Sequence, residues 1–493
     1  MHGFPLLIGY LGILLILIGG ITLLPLGTLL FYPEDAGEAS YFIIPGIASI
    51  LLGYLLSFTI RGKRKGKLDR NQDALIVVCC WMLAILITAI PFMLSGKYNL
   101  TQAVFETTSG WSTTGLSVVD VEQTSHLFLM HRSSILFFGG VGLLLVMLSV
   151  LSDSFGMRLY HAEGHNDRLL PNLLRSARII LTIYLCYTLS GILLYVVCGM
   201  SVFDAIIHAI GALSTGGFSS HAESIAYYDS PAIELITMVL MLLGNINFLA
   251  HLFLLRGHLR RFFRYCEVRL SLILIALVTP LVAFLFLQSL TDSLTESLRI
   301  ALFQVVSALT TTGFQTIPDL HALPHSILFV MILLQLIGGG MGSTAGGIKQ
   351  YRICLLGKGV LWQIQEQLSS RNMIHAHKIH RIEHEETVND KELVQTLCYV
   401  FLYLCLFLCG TFILVAYGNP ISTSMFEFSS ALGTVGLSAG IMTYDAPSLI
   451  LWTGTIGMFL GRLEIIVVFL ALHRFGHELT IGISHRKKHR KLL

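Results

Sequence analysis

Four segments of this chain align without gaps around a Thr-x-Gly step, and that repetition restricts the fold more than any other feature. The steps are Thr113, Thr114 and Gly115; Thr215, Gly216 and Gly217; Thr311, Thr312 and Gly313; and Thr434, Val435 and Gly436. Each is followed by Leu or Phe (Leu116, Phe218, Phe314, Leu437). Seven residues before each Thr stands a polar side chain: Glu106, His208, Gln304 and Glu427. Three residues further on comes Ser or Gly, then Gly or Ala. The glycines are separated by 102, 96 and 123 residues, so the unit is about one hundred residues long.

The solvent of these units is lipid. Of 493 residues, 54% are hydrophobic and only 12% charged, about half the charged fraction of a soluble protein. Stretches at 11–30, 41–60 and 74–94 each reach the ~20 apolar residues needed to cross a bilayer. Their order indicates helix after helix rather than a β-barrel. Residues 1–20 lack a basic leader and a small-residue cleavage site, so they are expected to be a retained first helix rather than a signal peptide.

Charge distribution sets the expected orientation. With the amino terminus inside, the inner segments 61–70, 152–178, 256–269, 349–391 and 473–493 hold 28 of the 32 Lys and Arg residues. That asymmetry places both termini in the cytoplasm of an inner-membrane protein. The intervening outer segments carry acids, among them Glu34, Asp35, Asp120, Glu122, Asp229 and Asp445, which would concentrate cations at an entrance. The nine cysteines follow no metal or disulfide spacing and are assigned no chemistry.

In each unit an apolar span precedes a helical segment too short to cross, then Thr-x-Gly, then a second span. The short segments lie between basic loops, so they start and finish on the outer side, as pore helices that dip in and return. Irregular backbone at membrane depth is tolerated only where protein or a water-filled cavity satisfies it. A ring of backbone carbonyls can replace the hydration shell of a potassium ion, and glycine reaches the necessary conformations without penalty. One Thr-x-Gly is weak evidence; four in register point to a cation pore. The expected fold is therefore all-α and polytopic. Four pseudo-symmetric helix–pore loop–helix units surround one pore, with two extra N-terminal helices and about ten transmembrane helices in all.

The second span of each unit carries its own mark. Gly139, Gly244, Gly339 and Gly461 lie 24, 27, 26 and 25 residues past the four loop glycines, and are followed by Gly140, Asn245, Gly340 and Arg462. Arg462 thus occupies a place that two other units leave as glycine. An arginine deep in a transmembrane helix costs several kcal/mol and usually faces a cavity. It is expected to project below the filter as a fixed positive charge. The third span is expected to break. Gly338, Gly339, Gly340, Met341, Gly342, Ser343, Thr344, Ala345, Gly346 and Gly347 include six glycines, each costing a helix about 1 kcal/mol. Close helix packing at GxxxG spacing would explain such glycines too. A flexible intramembrane loop under the filter is the favoured reading.

These residues together resemble the Trk/Ktr/HKT superfamily of potassium transporters, most closely its TrkH type. The resemblance spans the two extra helices, the four Thr-x-Gly loops, the Gly-rich break before Lys349, and Gly461-Arg462-Leu463-Glu464. It implies that Gly115, Gly217, Gly313 and Gly436 form a selectivity filter holding potassium, with no organic cofactor in this chain. It implies an intramembrane gate at residues 338–347 and Arg462. It also implies a homodimer with one pore per protomer, in contact with membrane lipid and regulated by cytosolic RCK-type nucleotide-binding subunits (TrkA-like). No nucleic-acid partner is expected. The divisions expected are 1–70 for the extra helices, then units at 71–165, 166–262, 263–390 and 391–493. Ser117, Ser219, Gln315 and Ser438 stand where tetrameric potassium channels have a second glycine, so the upper filter is expected to lack a full carbonyl ring. His375, His377, His380 and His384 are read as a solvated loop, with metal binding a lesser alternative. A secondary symporter working by alternating access is the main rival. The shared orientation of the four units counts against the inverted repeats such folds use. No constellation supports an enzyme.

Overall fold

The computed structural model describes residues 4–58, 72–142, 173–289, 291, 293–317, 319–321, 323–369, 377–381 and 385–476. Two apolar helices open the chain, α1 (Phe4–Leu23) and α2 (Ala39–Ser57), joined by short 3-10 turns. They pack closely because glycines face each other across the pair. A β-carbon at Gly53 would lie 2.8 Å from the Ile16 amide nitrogen, and one at Gly12 2.7 Å from the Ser57 amide nitrogen. Van der Waals fit at small residues is what holds helices together where lipid removes the hydrophobic drive.

Thereafter the order repeats. A long helix, a short one, a loop and another helix follow as α3 (Gln72–Leu94), α4 (Leu100–Trp111) and α5 (His126–Val141). Next come α6 (Leu173–Val197), α7 (Val202–Leu213) and α8 (Pro231–Asn245), followed by α9 (Phe248–Leu255) and α10 (Leu259–Arg264). The third set is α11 (Cys266–Ser289), α12 (Leu294–Leu309) and α13 (His325–Ile337). Then α14 (Gln350–Leu368) and a small antiparallel hairpin, β1 (Lys378–His380) with β2 (Glu385–Thr387), intervene. The last set is α15 (Asp390–Ala416), α16 (Ile421–Gly433) and α17 (Ser448–Arg462), with a final helix α18 (Ile465–Gly476).

Among the described residues six helical stretches are long and apolar enough to cross a bilayer: Ile8–Leu30, Pro33–Ser57, Ala74–Leu94, Ala177–Val197, Cys266–Ser289 and Asp390–Ala416. Two bent helix pairs are apolar enough when taken together, α8 with α9 at 114° and α17 with α18 at 104°. The protein is a multi-pass membrane protein. Its lipid-facing helices carry exposed large apolar residues such as Leu189, Leu277 and Phe412, whereas the short helices are almost wholly buried.

The bends correct one expectation. The sequence singled out only the third unit for a broken span, and placed Arg462 within a continuous helix. Instead, Arg462 is the last residue of α17, at a turn. The α8 helix likewise stops at Asn245, α13 at Ile337, and α5 at Val141 before Gly142 with φ 95°. The glycine marks explain where this happens. A β-carbon at Gly139, Gly244 or Gly461 would run into the carbonyl of Trp111, Leu213 or Leu432 respectively, each two residues before a loop threonine.

Several basic-loop expectations (61–70, most of 152–178, and the tail from 477) fall outside the described residues, as do His375 and His384. His377 and His380 lie against Glu366 at 3.1 Å and Glu385 at 3.0 Å. Among the described residues no cluster of three or more His, Cys, Asp or Glu is placed to hold a metal.

The α1–α2 contact gives a test of the fold. Gly53→Leu overpacks the pair and is expected to cost about 1–3 kcal/mol. Gly20→Leu, which meets open space within 4 Å, is expected to change little. Apparent melting temperatures in detergent, read by loss of the monodisperse chromatographic peak, separate the two variants.

Candidate functional site

The four short helices end alike. At each loop threonine the backbone turns left-handed, with φ 54° at Thr113, 52° at Thr215, 54° at Thr311 and 52° at Thr434. A β-branched residue enters that region only under strain, and such strain is concentrated at functional sites. The next amide in each loop reaches back to a carbonyl five residues earlier. Thr114 donates to Ser109 at 2.9 Å, Gly216 to Gly211 at 3.0 Å, Thr312 to Ser307 at 3.0 Å and Val435 to Ser430 at 2.8 Å. The third position is glycine with φ 95°, 57°, 85° and 96° in turn.

These four strands close on one another. A β-carbon on Gly115 would collide with the Gly216 carbonyl oxygen, one on Gly217 with that of Thr312, one on Gly313 with that of Val435, and one on Gly436 with that of Thr114. Each glycine therefore abuts the middle residue of the next loop, and the fourth returns to the first. The glycines are partly exposed while the four threonines are fully buried, so the ring opens to one side only.

The polar residues seven before each threonine brace the strand beyond the glycine. Glu106 accepts from the Ser117 hydroxyl at 3.0 Å and the Val118 amide at 2.9 Å. Glu427 accepts from the Ser438 hydroxyl at 2.9 Å and the Ala439 and Met442 amides at 2.6 and 3.0 Å. His208 lies 2.9 Å from the Ser219 hydroxyl. The serines that replace a second glycine thus serve as partners for a buried side chain eleven residues earlier. The third unit has Gln315 at that place, and the buried Gln304 amide makes no hydrogen bond. The sequence contained this pairing, Glu or His with a Ser at +11, but it was not read as one.

Sequence reasoning also left Arg132 unassigned. It lies on α5, 3% exposed, with Nε donating to Glu106 Oε1 at 2.7 Å, Nη2 donating to Ser117 Oγ at 2.9 Å, and its guanidinium 4.1 Å from the Phe218 ring centre. Arg132 therefore ties the first loop, through its ion pair with Glu106, to the second, through its contact with the Phe218 ring.

On the closed side lies the glycine-rich segment, and it reaches all four threonines. Thr344 receives a hydrogen bond from the Thr215 hydroxyl at 3.0 Å, and its carbonyl lies 3.5 Å from the Thr113 hydroxyl. The Gly346 amide donates to the Thr311 hydroxyl at 2.8 Å, and a β-carbon on Gly346 would strike the Thr434 hydroxyl. The segment is held from below. Gly340 N–H donates to the Asn245 carbonyl at 3.1 Å, Thr344 N–H to the Gly244 carbonyl at 3.2 Å and Phe248 N–H to the Gly342 carbonyl at 3.2 Å. Gln350 Nε2 donates to the Gly338 carbonyl at 3.0 Å. Breaking a helix in lipid frees backbone groups that must find partners, and here the broken ends of α8 and the 338–347 segment satisfy each other.

Arg462 completes the arrangement. Nη1 donates to the Thr344 carbonyl at 2.6 Å, and Nη2 to the Gly139 carbonyl at 2.5 Å. Glu464 does not pair with it but with Arg352 at 2.7 Å, whose guanidinium covers the Tyr399 ring at 3.7 Å. Trp81, Lys349, Tyr399, Arg462 and Glu464 border a cavity of about 30 Å³, room for roughly one water.

Short buried helices, a ring of loop backbone and an irregular segment beneath it belong to a transport protein rather than an enzyme. Comparison with known proteins makes the assignment specific. Residues 39–474 match the TrkH family, described as cation transport protein, and the chain belongs to that family. It is 32% identical to a cation transporter of Methanocaldococcus jannaschii, over 93% of each chain. It is 30% identical to the Trk system potassium uptake protein TrkH of Escherichia coli K12, over 93% of this chain and 96% of that one. The crystal structure of the potassium transporter TrkH from Vibrio parahaemolyticus superposes with a TM-score of 0.83 at 26% identity, covering 95% of this chain and 98% of that one.

The Arg132–Glu106 pair yields a stability test. Arg132→Leu leaves the buried Glu106 carboxylate without its counter-charge and is expected to cost about 3–5 kcal/mol. Adding Glu106→Gln removes the stranded charge and recovers part of the loss. Thermal inactivation of the purified single and double variants checks the order.

Proposed function

We propose that this protein takes up potassium ions through a gated, channel-like pore formed by four pseudo-symmetric helix–pore loop–helix units, with the divisions at 71–165, 166–262, 263–390 and 391–493 and two extra helices in 1–70. The observation that carries this reading is the cyclic contact of Gly115, Gly217, Gly313 and Gly436 with the preceding carbonyl of the next loop. Four backbone strands held so tightly around one axis offer carbonyls in place of water to a dehydrated cation. Potassium is the cargo named for the relatives in Escherichia coli and Vibrio parahaemolyticus. Residues 113–115, 215–217, 311–313 and 434–436 are the proposed filter.

The segment 338–347 with Arg462 is the proposed gate. It lies under every filter threonine, and a fixed guanidinium beside a single-file cation path adds repulsion that a low dielectric makes larger than in water. The proposed setting is the inner membrane with both termini cytoplasmic. There the chain would form a homodimer, and the face beyond the gate would meet RCK-type nucleotide-binding subunits (TrkA-like).

Serine substituted singly at Gly115, Gly217, Gly313 or Gly436 is expected to weaken potassium-over-sodium discrimination, because the added β-carbon meets a carbonyl of the adjoining loop. Bi-ionic reversal potentials measure it. Unchanged preference in all four variants would remove the filter assignment.

Arg462→Ala, or deletion of 340–345, is expected to raise unregulated cation flux while preserving the order of ion preference. Reduced flux in correctly assembled protein would make the charge and the loop structural supports instead of a barrier.

A further inference from the structure

The joint that carries the glycine-rich segment into α14 contains two cysteines from distant parts of the chain. Cys266 opens α11, and Cys354 lies one turn into α14, four residues after Gln350. The Cys354 thiol donates to the Cys266 carbonyl oxygen at 3.5 Å, so the two residues meet where α14 crosses the start of α11. Both are free, Cys266 buried and Cys354 partly exposed. Lys358, one further turn along α14, places a positive charge near them.

The surroundings make this pair more than a packing contact. Glu267, the residue after Cys266, accepts from the Met341 amide at 3.1 Å. Ser271 donates to Gln350 Oε1 at 2.7 Å, and Gln350 N–H in turn donates to the Gly339 carbonyl at 2.8 Å. So the first two turns of α11 grip the segment 338–347 at one end and the start of α14 at the other. Every one of these grips is a reversible hydrogen bond. A covalent bond between α11 and α14 at this place would add a tie that no rearrangement of these hydrogen bonds could release.

We propose that Cys266 and Cys354 are a redox-modification site, at which oxidation by a small disulfide such as glutathione disulfide joins α11 to α14 covalently and locks the 338–347 segment beneath the filter. This rests on the reading of that segment as the gate and of its lower side as cytoplasmic. The partly exposed Cys354 thiolate attacks one sulfur of the oxidant, forming a mixed disulfide and releasing one glutathione thiolate. The Cys266 thiolate then attacks the Cys354 sulfur and releases the second. Two protein thiols are oxidised, one disulfide is reduced to two thiols, and the two thiol protons pass to the departing glutathiones. A cytosolic disulfide of this kind is transient and regulatory rather than structural.

The test uses the full-length protein in proteoliposomes, treated with glutathione disulfide and assayed for rubidium uptake. Non-reducing peptide mass spectrometry reads the Cys266–Cys354 linkage independently of transport. The expected result is a linked peptide, a severalfold fall in uptake, and recovery with dithiothreitol. Cys266→Ser and Cys354→Ser should each keep basal uptake and lose the oxidant response. Absence of the linkage, or its formation with uptake unchanged, overturns the proposal. The second of these leaves the gate itself to be judged by Arg462→Ala, so the two ideas fail separately.

Discussion

Backbone that leaves a helix inside a membrane has no water to turn to, and this constraint organises the centre of the molecule. Four short helices end there, second helices of the units break there, and ten residues of irregular chain run between them. Each would strand polar groups if built alone. Together they close the account of donors and acceptors: the Gly244 and Asn245 carbonyls take the Thr344 and Gly340 amides, and the Gly139 carbonyl takes Arg462. The segment below the ring is therefore the element that satisfies the broken helices around it, as well as the proposed gate.

If the segment gates the path as proposed, its bonding has an energetic consequence. An exchange of hydrogen bonds at membrane depth is cheap only if new partners are available, and water in an opened path can supply them. Closed and hydrated arrangements can then differ by a few hydrogen bonds, each worth about 1 kcal/mol net. Arg462 biases the balance because its charge is best satisfied while Thr344 and Gly139 carbonyls are in reach. Above, the ring is held differently. Glu106, Glu427 and His208 brace the strands from behind, and Arg132 links the first loop to the second across the Phe218 ring. The third loop lacks a matching serine and leaves Gln304 unsatisfied, so the ring is fourfold in backbone and uneven in support.

Much of this was legible from residue order. A period of about one hundred residues, apolar spans on either side and a Thr-x-Gly step in each unit identified the loops, and the excess of glycine between 338 and 347 identified the break in the third unit's span. Those signals are local, because glycine and hydrophobic length act through the backbone of their own segment. What escaped was pairwise. The sequence placed Arg462 inside a helix, whereas a close approach of Gly461 to the Leu432 carbonyl puts it at a bend. Nothing in the spacing of the cysteines pointed to Cys266 and Cys354, which are 88 residues apart.

The sequence by itself determined the membrane class, the number of loops and the break in the third unit's second span, since each follows from apolar length, repetition and the conformational freedom of glycine. Only the tertiary structure decided that the four loops close in cyclic order, that the 338–347 segment touches every loop threonine, and that Arg132, Arg352 and Arg462 take three different partners. Those are contacts between residues far apart in the chain, and one-dimensional spacing carries no record of which carbonyl a guanidinium will find.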